Sequence, residues 1–305
     1  MRTFLIILVL LFLAFIAWIF FTKCDAKLDC TFSQAFPPSQ PAPTPEPTEP
    51  TPQPQPDQPA PQPQPEPQQP QPEPQQPQPE PQPQPQPDTA PKDPNGNTFL
   101  FEPPGELLPN SGQGVKSDKI YAPGMRFPFE SAPGFPNSQV YMHGGGSGPG
   151  GSQCDKENYS YPWRDNFCEK RSWDTPACPG GKGHQGQDMR PATCKKGIHW
   201  AVAAEAGQIT NIGSYTVTLT GESGIRYRYL HMKMDQLAVS IGDTVTRGQR
   251  VGLVSNDFGG SSTTIHLHFE IKAAITMPNG TTQIHFAPPY TSLVDSYKRL
   301  LAGTP

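Results

Sequence analysis

The sequence predicts a mainly β protein: an antiparallel β-sheet domain with a short C-terminal helix, preceded by an N-terminal transmembrane helix and a disordered proline-rich linker. Three observations predict this order. An apolar run occupies residues 4–21, most of the 42 prolines fall between residues 36 and 94, and short β-type runs follow residue 182. We therefore divide the chain into four segments: an anchor or signal segment at 1–23, a linker at 24–94, a connecting segment at 95–117 and a folded domain at 118–305.

The N-terminal apolar run is long enough to cross a membrane. Its residues 4–21 would rise about 27 Å as a helix, close to the ~30 Å hydrocarbon thickness of a bilayer. We favour an uncleaved anchor, because the apolar region of a signal peptide is shorter, at about 7–15 residues. A signal removed at residues 24–26 is the alternative. The orientation of the segment in the membrane is not decided by the positive charges at its two ends, which are Arg2 and the α-amine before it and Lys23 and Lys27 after it.

The linker repeats the sequence QPEPQQP from Gln64 and again from Gln71. A seven-residue period is typical of coiled coils, but alternate prolines exclude an α-helix. We interpret the linker as a polyproline-II spacer, which at ~3.1 Å per residue would reach roughly 180 Å over residues 37–94. Binding to an SH3-like module is the alternative.

Charge and cysteine content restrict the partners and the compartment. A formal net charge of −4 provides no basic surface for nucleic acid. Four cysteines of the folded domain form no Cys-x-x-Cys pair, so two disulfides are favoured over a four-thiolate zinc site: Cys154, Cys168, Cys178 and Cys194. Disulfides indicate an oxidising space outside the cytoplasm, and the three possible pairings stay open.

The folded domain shows strand patterns followed by one helical pattern. Alternating or β-branched runs predict strands at residues 207–210, 215–220, 225–230 and 264–271, with a hairpin loop at 221–224. Near the C-terminus, Thr291 or Ser292 is expected to cap a helix with an apolar face that includes Leu293 and Tyr297. Residues 95–117 are expected to form a loop or a partial wrap around the domain.

Candidate catalytic residues lie in three short motifs. His184 and Asp188 are four residues apart, and Gly183 and Gly186 predict a loop or strand end there rather than a helix. His266 and His268 flank Leu267, so the period of two of a strand puts both imidazoles on one face. His231 ends a predicted strand. Each motif alone occurs by chance or as hydrogen-bonded surface groups, but together they predict one site.

The motifs resemble those of the lysostaphin-type, or LytM-type, zinc metallopeptidases, which cleave peptidoglycan cross-bridges. The resemblance covers about residues 184–272: HQGQD from His184, Tyr-Leu-His ending at His231, the turn at 241–249, and HLHFEI from His266. It implies that His184, Asp188 and His268 bind Zn²⁺, with His231 and His266 as the catalytic histidines. Three protein ligands leave a fourth position for water, as is typical of catalytic zinc. The roles of proton carrier and oxyanion stabiliser could be exchanged between the two histidines.

Two segments depart from the family pattern, at residues 141–182 and 191–200. We expect both at the rim of the groove, where they would affect substrate preference rather than metal binding. Their tryptophans either stack on glycan or, as we favour, pack over the disulfides: Trp163, Trp173 and Trp200. Of the remaining histidines, His199 and His285 are interpreted as non-catalytic and His143 as a candidate lid residue.

From the sequence we expect a zinc-dependent peptidoglycan endopeptidase. It would be a single-pass protein of the bacterial cell membrane, with the catalytic domain in the periplasm or outside the cell, and its partners would be peptidoglycan and the membrane. The alternatives are a non-catalytic regulator of other wall hydrolases and a cell-wall-binding anchor. Family members that act as regulators have lost metal ligands, whereas all five polar positions are present here. The bond that is cut and the oligomeric state stay open.

Overall fold

The computed structural model describes residues 90–277 and 280–305. The predicted transmembrane segment at 1–23 and nearly all of the predicted linker at 24–94 lie outside these residues. Within 90–277 and 280–305, no helix combines the length and the apolar character needed to cross a membrane. The division of the chain at residues 23, 94 and 117 stays a prediction.

Short strands separated by turns form most of the regular structure of the described residues. In chain order they are β1 (Phe135–Pro136), β2 (Gln187–Arg190), β3 (Trp200–Val202), β4 (Gly207–Ile212), β5 (Thr216–Gly221), β6 (Arg226–Leu230), β7 (Met232–Leu237), β8 (Thr244–Val245), β9 (Arg250–Val254), β10 (Asp257–Phe258), β11 (Ser261–Ser262), β12 (Leu267–Thr276) and β13 (Thr282–Ala287). Helix α1 (Tyr290–Leu301) follows them, and short 3-10 turns lie at Lys156–Tyr159 and Pro179–Gly181. The predicted antiparallel β domain with a C-terminal helix is confirmed.

The main sheet centres on β12. Its strands run in the order β1-β2-β12-β6-β5-β4-β8, with β13 also beside β12, while β3-β9-β7 form a smaller sheet and β10-β11 a hairpin. The first residues of β12 pair antiparallel with β2 on one side and with β6 on the other. This register places His268 opposite Asp188 on β2 and opposite Leu230 on β6.

Successive side chains of β12 point alternately into the apolar core and toward the histidine cluster, as the sequence predicts. Leu267, Phe269 and Ile271 are fully buried in the main apolar core. His268 and Glu270 lie on the opposite face, because successive side chains of a strand point to opposite sides. The core contains residues from both sheets and from α1, so β12 rests on a packed apolar layer while its other face carries His268 and Glu270.

Helix α1 begins after Pro289, so the expectation of a cap at Thr291 or Ser292 is wrong. Both side chains serve tertiary contacts instead. Thr291 Oγ1 donates a hydrogen bond to the Ser117 carbonyl, and Ser292 Oγ accepts hydrogen bonds from the backbone N–H groups of Tyr121 and Ala122. The helix is therefore bonded to residues 117–122, at the start of the domain.

Part of the segment 95–117 belongs to the apolar core. Phe99 is buried, and its ring centroid lies 4.7 Å from that of Trp163 and 4.8 Å from that of Tyr297. Trp163 is fully buried in this aromatic cluster, and its Nε1 donates a hydrogen bond to the Gly134 carbonyl. For Trp163, stacking on glycan is therefore wrong, because the ring is closed off from solvent.

Candidate metal centre

The His184–Asp188 motif turns into strand β2, without a helix, as Gly183 and Gly186 predict. His184 precedes the strand, and Asp188 is its second residue. A side chain at Gly186 would collide with the Phe269 carbonyl and would lie 2.8 Å from His268 Nε2, so glycine permits the close approach of this turn to β12. The motif thereby reaches the functional face of the neighbouring strand.

Three predicted ligands meet at one buried point. His268 Nδ1 lies 3.0 Å from His184 Nε2 and 2.9 Å from Asp188 Oδ1, and His184 Nε2 lies 3.3 Å from Asp188 Oδ1. All three side chains are buried, and their donor atoms form the group His184, Asp188 and His268 that could hold a metal ion. No backbone shift is needed to bring them together.

Each ligand histidine is oriented by a hydrogen bond on its far nitrogen. His184 Nδ1 lies 2.9 Å from the Asn166 carbonyl, and His268 Nε2 lies 3.0 Å from Glu270 Oε1. Because a carbonyl and a carboxylate oxygen only accept hydrogen bonds, these two nitrogens carry the protons. When both rings are neutral, His184 Nε2 and His268 Nδ1 direct lone pairs at the centre, as metal ligation requires.

The donor set fits zinc. Two imidazole nitrogens and one carboxylate oxygen are ordinary zinc ligands, and a tetrahedron with bonds of ~2.0 Å has edges of about 3.3 Å. The three donor separations, between 2.9 and 3.3 Å, are close to that edge. Three protein ligands correspond to the open coordination of a catalytic zinc site rather than to the closed set of a structural one.

The electrostatics of the site without metal favour a charged pair. Burial would raise the pKa of Asp188, but the neighbouring His184 and His266 hold it well below its usual range. Burial likewise opposes protonation of His268, but the Asp188 and Glu270 carboxylates overcome it and raise the pKa of His268 to about 9. At neutral pH a proton and a metal ion therefore compete for His268 Nδ1.

The two predicted catalytic histidines border the same centre. His266 Nε2 lies 3.4 Å from Asp188 Oδ1, while its Nδ1 lies 2.8 Å from the Thr264 carbonyl. The ring of His231 lies 4.7 Å from that of His266 and 6.2 Å from that of His268, measured between centroids. The structure thus brings all five predicted side chains together, and the division of roles among them stays a prediction.

His231 occupies an unusual backbone position at the end of β6. Its φ of 66° is in the left-handed region, which few non-glycine residues adopt, and which turns its ring toward the other histidines. His231 Nδ1 lies 2.8 Å from the Asp257 carbonyl, and the ring stacks on Tyr215. Burial, together with the adjacent His266 and His268, lowers the pKa of His231 to about 3, so its ring is neutral at pH 7.

Sequence reasoning missed two residues that support the ligands. Asn166 accepts from His184 through its carbonyl and donates from Nδ2 to Asp188 Oδ2 at 3.1 Å, but it stands 18 residues before His184 in no recognisable motif. Glu270 bridges His268 and Arg228. Glu270 could have been found, because it follows His268 by two residues and so shares its strand face.

The four clustered cysteines form two disulfides, as predicted. The pairs are Cys154–Cys194 and Cys168–Cys178, one of the three pairings that the sequence left open. The Cys168–Cys178 loop carries Trp173, which is half exposed with its ring 6.3 Å from that of His184.

The remaining predicted side chains make contacts outside the five-residue cluster. The Arg250 guanidinium covers Trp200, at 4.8 Å from the ring centroid. His199 contacts Thr193, His285 lies 3.7 Å from Asp174, and His143 contacts the Gly150 carbonyl and Asp155. The non-catalytic interpretation of His199 and His285 stays a prediction.

Comparison with known proteins identifies the region that contains the site. Residues 182–282 match the model of peptidase family M23. No curated protein sequence matches the chain significantly.

Several solved structures are similar to part of the chain. The lysostaphin catalytic domain from Staphylococcus simulans is 25% identical over 39% of this chain and 89% of its own, with a TM-score of 0.27. The lytM protein of Ruminococcus gnavus is 22% identical over 41% of this chain and 48% of its own, with a TM-score of 0.31, so the chain spans about half of its length. The catalytic domain of the prophage-encoded M23 protein EnpA from Enterococcus faecalis is 20% identical over 43% of this chain and 95% of its own, with a TM-score of 0.28.

Proposed function

Because the chain contains a peptidase family M23 domain at residues 182–282, we propose that it is a zinc-dependent endopeptidase that hydrolyses amide bonds in the peptide part of peptidoglycan. The observation that carries the proposal is the meeting of three donor atoms, on His184, Asp188 and His268, within 4.8 Å of one another. Zinc dependence is general in this family, and peptidoglycan is the substrate implied by the resemblance to LytM-type enzymes.

The protein groups around the centre suit amide hydrolysis. Zinc held by His184, Asp188 and His268 would supply a more acidic bound water and a polarised scissile carbonyl. His266 carries its proton on Nδ1, so its Nε2 accepts a proton from the attacking water and then passes it to the leaving amine.

His231 has the same arrangement as His266, with Nδ1 donating to the Asp257 carbonyl. In the resting site, Nε2 of His231 is therefore a proton acceptor as well. A neutral imidazole has one N–H group, and here that group is already bonded, so His231 presents a lone pair at Nε2. Because its pKa is lowered to about 3, the ring stays in this neutral form at pH 7.

The first prediction separates metal binding from turnover. The zinc-loaded full-length chain is expected to contain about one zinc per chain and to release cross-linked peptides from isolated cell wall, with chelation abolishing release. His268→Ala should lose the metal. His266→Ala should keep the metal and lose turnover by about a hundredfold or more, as expected for removal of a general base. Zinc content is read by elemental analysis and products by mass spectrometry, which also identifies the bond that is cut.

His285→Ala serves as the control, because His285 lies on β13 and contacts Asp174 rather than the site. It should leave metal content and turnover unchanged. Wall digestion that survives chelation and both site substitutions would contradict the proposal. A zinc-loaded protein that binds wall without releasing peptides would support the non-catalytic regulator or anchor instead.

We also propose that the domain works outside the cytoplasm at the end of a membrane tether. Two disulfides within residues 154–194 support an oxidising compartment. The apolar run at 4–21 supports a single-pass anchor, and the proline-rich linker supports a reach of roughly 180 Å from the bilayer. Membrane fractionation, with protease accessibility of the domain in intact spheroplasts, tests this placement.

A further inference from the structure

Two glutamines of the segment 137–154 contact the residues that immediately precede β12. Gln139 Oε1 accepts a hydrogen bond from Thr264 Oγ1 at 2.6 Å, and Gln153 Oε1 accepts one from the backbone N–H of Ile265 at 2.7 Å. Thr264 and Ile265 lead directly into His266. Both bonds therefore act on the short stretch of chain that determines where the His266 ring points.

The bond from Thr264 to Gln139 also bears on the orientation of the His266 ring. His266 Nδ1 lies 2.8 Å from the Thr264 carbonyl and 3.2 Å from Thr264 Oγ1. A threonine hydroxyl has a single hydrogen, and here Gln139 receives it, so toward Nδ1 the hydroxyl presents only lone pairs. Two acceptors then face Nδ1, and together they hold the ring so that Nε2 lies 3.4 Å from Asp188 Oδ1.

Neighbouring residues hold both glutamines. Gln139 is buried, and its Nε2 lies 3.4 Å from Asn137 Oδ1, which directs Oε1 toward Thr264. The backbone carbonyl of Gln153 accepts a hydrogen bond from the Arg190 guanidinium at 2.9 Å. The next residue, Cys154, is bonded to Cys194. The side chain of Gln139 and the backbone of Gln153 are thus both held in place.

We propose that Gln139 and Gln153 are positioning residues for His266, so that the segment 137–154 is part of the reaction machinery rather than only a rim of the groove. Gln139 acts through Thr264 on the orientation of the His266 ring, and Gln153 acts through Ile265 on the path of the backbone. The kinetic part of the test rests on the proposed peptidase function. The spectroscopic part does not.

The kinetic test uses matched substitutions in the full-length zinc-loaded chain. Thr264→Val and Gln153→Met each remove one hydrogen bond at nearly constant volume, and should lower kcat about three- to tenfold while KM and zinc content stay unchanged. Thr264→Ser and Gln153→Glu retain the donor and the acceptor, respectively, and should keep kcat within about twofold of the parent. Gln139→Met combined with Thr264→Val should be no worse than Thr264→Val alone, because both remove the same bond.

The spectroscopic test follows the His266 ring by long-range proton–nitrogen correlation. The parent chain and Thr264→Ser should show the same Nδ1 resonance, whereas Thr264→Val, which keeps the backbone carbonyl but loses the hydroxyl, should show a shifted one. This signal tests the inference even if the parent chain releases no peptide. If Thr264→Val keeps both the parent Nδ1 resonance and the parent kcat, or if Gln139→Met and Thr264→Val have fully additive effects, the inference is overturned. A loss of zinc or of folding in Thr264→Ser and Gln153→Glu would also overturn it, because the contacts would then be structural.

Discussion

At the scale of single residues, the hydrogen bond on one ring nitrogen of each histidine determines which nitrogen faces the centre. His184, His231 and His266 each donate from Nδ1 to a backbone carbonyl, whereas His268 donates from Nε2 to Glu270. His184 and His268 therefore offer opposite nitrogens to one centre. The difference follows from their positions: His268 shares a strand face with Glu270, while His184 enters from a turn beside Asn166.

Metal binding should release a proton from His268. Its pKa of about 9 without metal means that Nδ1 is protonated at pH 7, whereas a ligand histidine is neutral. Apparent zinc affinity should therefore rise about tenfold per pH unit from neutral pH upward and level off near pH 9. Calorimetric titration in two buffers of different ionisation enthalpy measures the number of protons released.

The control for proton release is Glu270→Gln, which removes one of the two carboxylates that raise the pKa of His268. In this variant the affinity should level off at a lower pH than in the parent. Zinc binding at pH 7 without any proton release in the parent chain would contradict the prediction.

At the scale of elements, the residues before β12 form hydrogen bonds with side chains instead of with the backbone of a neighbouring strand. The sequence predicts a strand from residue 264, but β12 begins at Leu267. The N–H of Ile265 bonds to the side chain of Gln153, and the carbonyl of Thr264 accepts from the ring of His266. These backbone groups are satisfied by side chains, so the alternating pattern before Leu267 continues without strand pairing.

Helix α1 offers a prediction about stability. Ser292→Ala should lower the free energy of unfolding by about 1–3 kcal/mol, because the N–H groups of Tyr121 and Ala122 lose their shared acceptor in a buried place. Urea unfolding of the full-length chain measures it, and zinc content should be unchanged.

The matched control is Ser296→Ala, one turn along the same helix. Ser296 is also buried, but its hydroxyl only donates to the Leu293 carbonyl within the helix. The cost should be under about 1 kcal/mol, because no buried donor loses its acceptor. Equal losses at the two serines would contradict a fastening role for Ser292.

At the scale of the whole domain, the segment before residue 118 contributes to the core. Phe99→Ala should lower the free energy of unfolding by about 3–5 kcal/mol, because its ring fills space among Trp163, Tyr161 and Tyr297. Phe101→Ala should cost only about 1–2 kcal/mol, since Phe101 is 38% exposed. Thermal or urea unfolding compares the two, and a Phe99→Ala loss as small as the ~1–2 kcal/mol expected for Phe101→Ala would show that Phe99 does not contribute to the core.

The sequence by itself determined the β class of the domain, the side of the chain on which His266 and His268 lie, and the five side chains that meet there. These features follow from local rules: the period of two of a strand, the effect of Gly183 and Gly186 on a helix, and motifs that resemble a known family. The tertiary structure alone decided the pairing of the cysteines, the support of His184 and Asp188 by Asn166, and the contacts of Gln139 and Gln153 with the approach to His266. Most of those contacts join residues far apart along the chain, and their meeting depends on the paths of loops and the packing of the core, which no local pattern encodes.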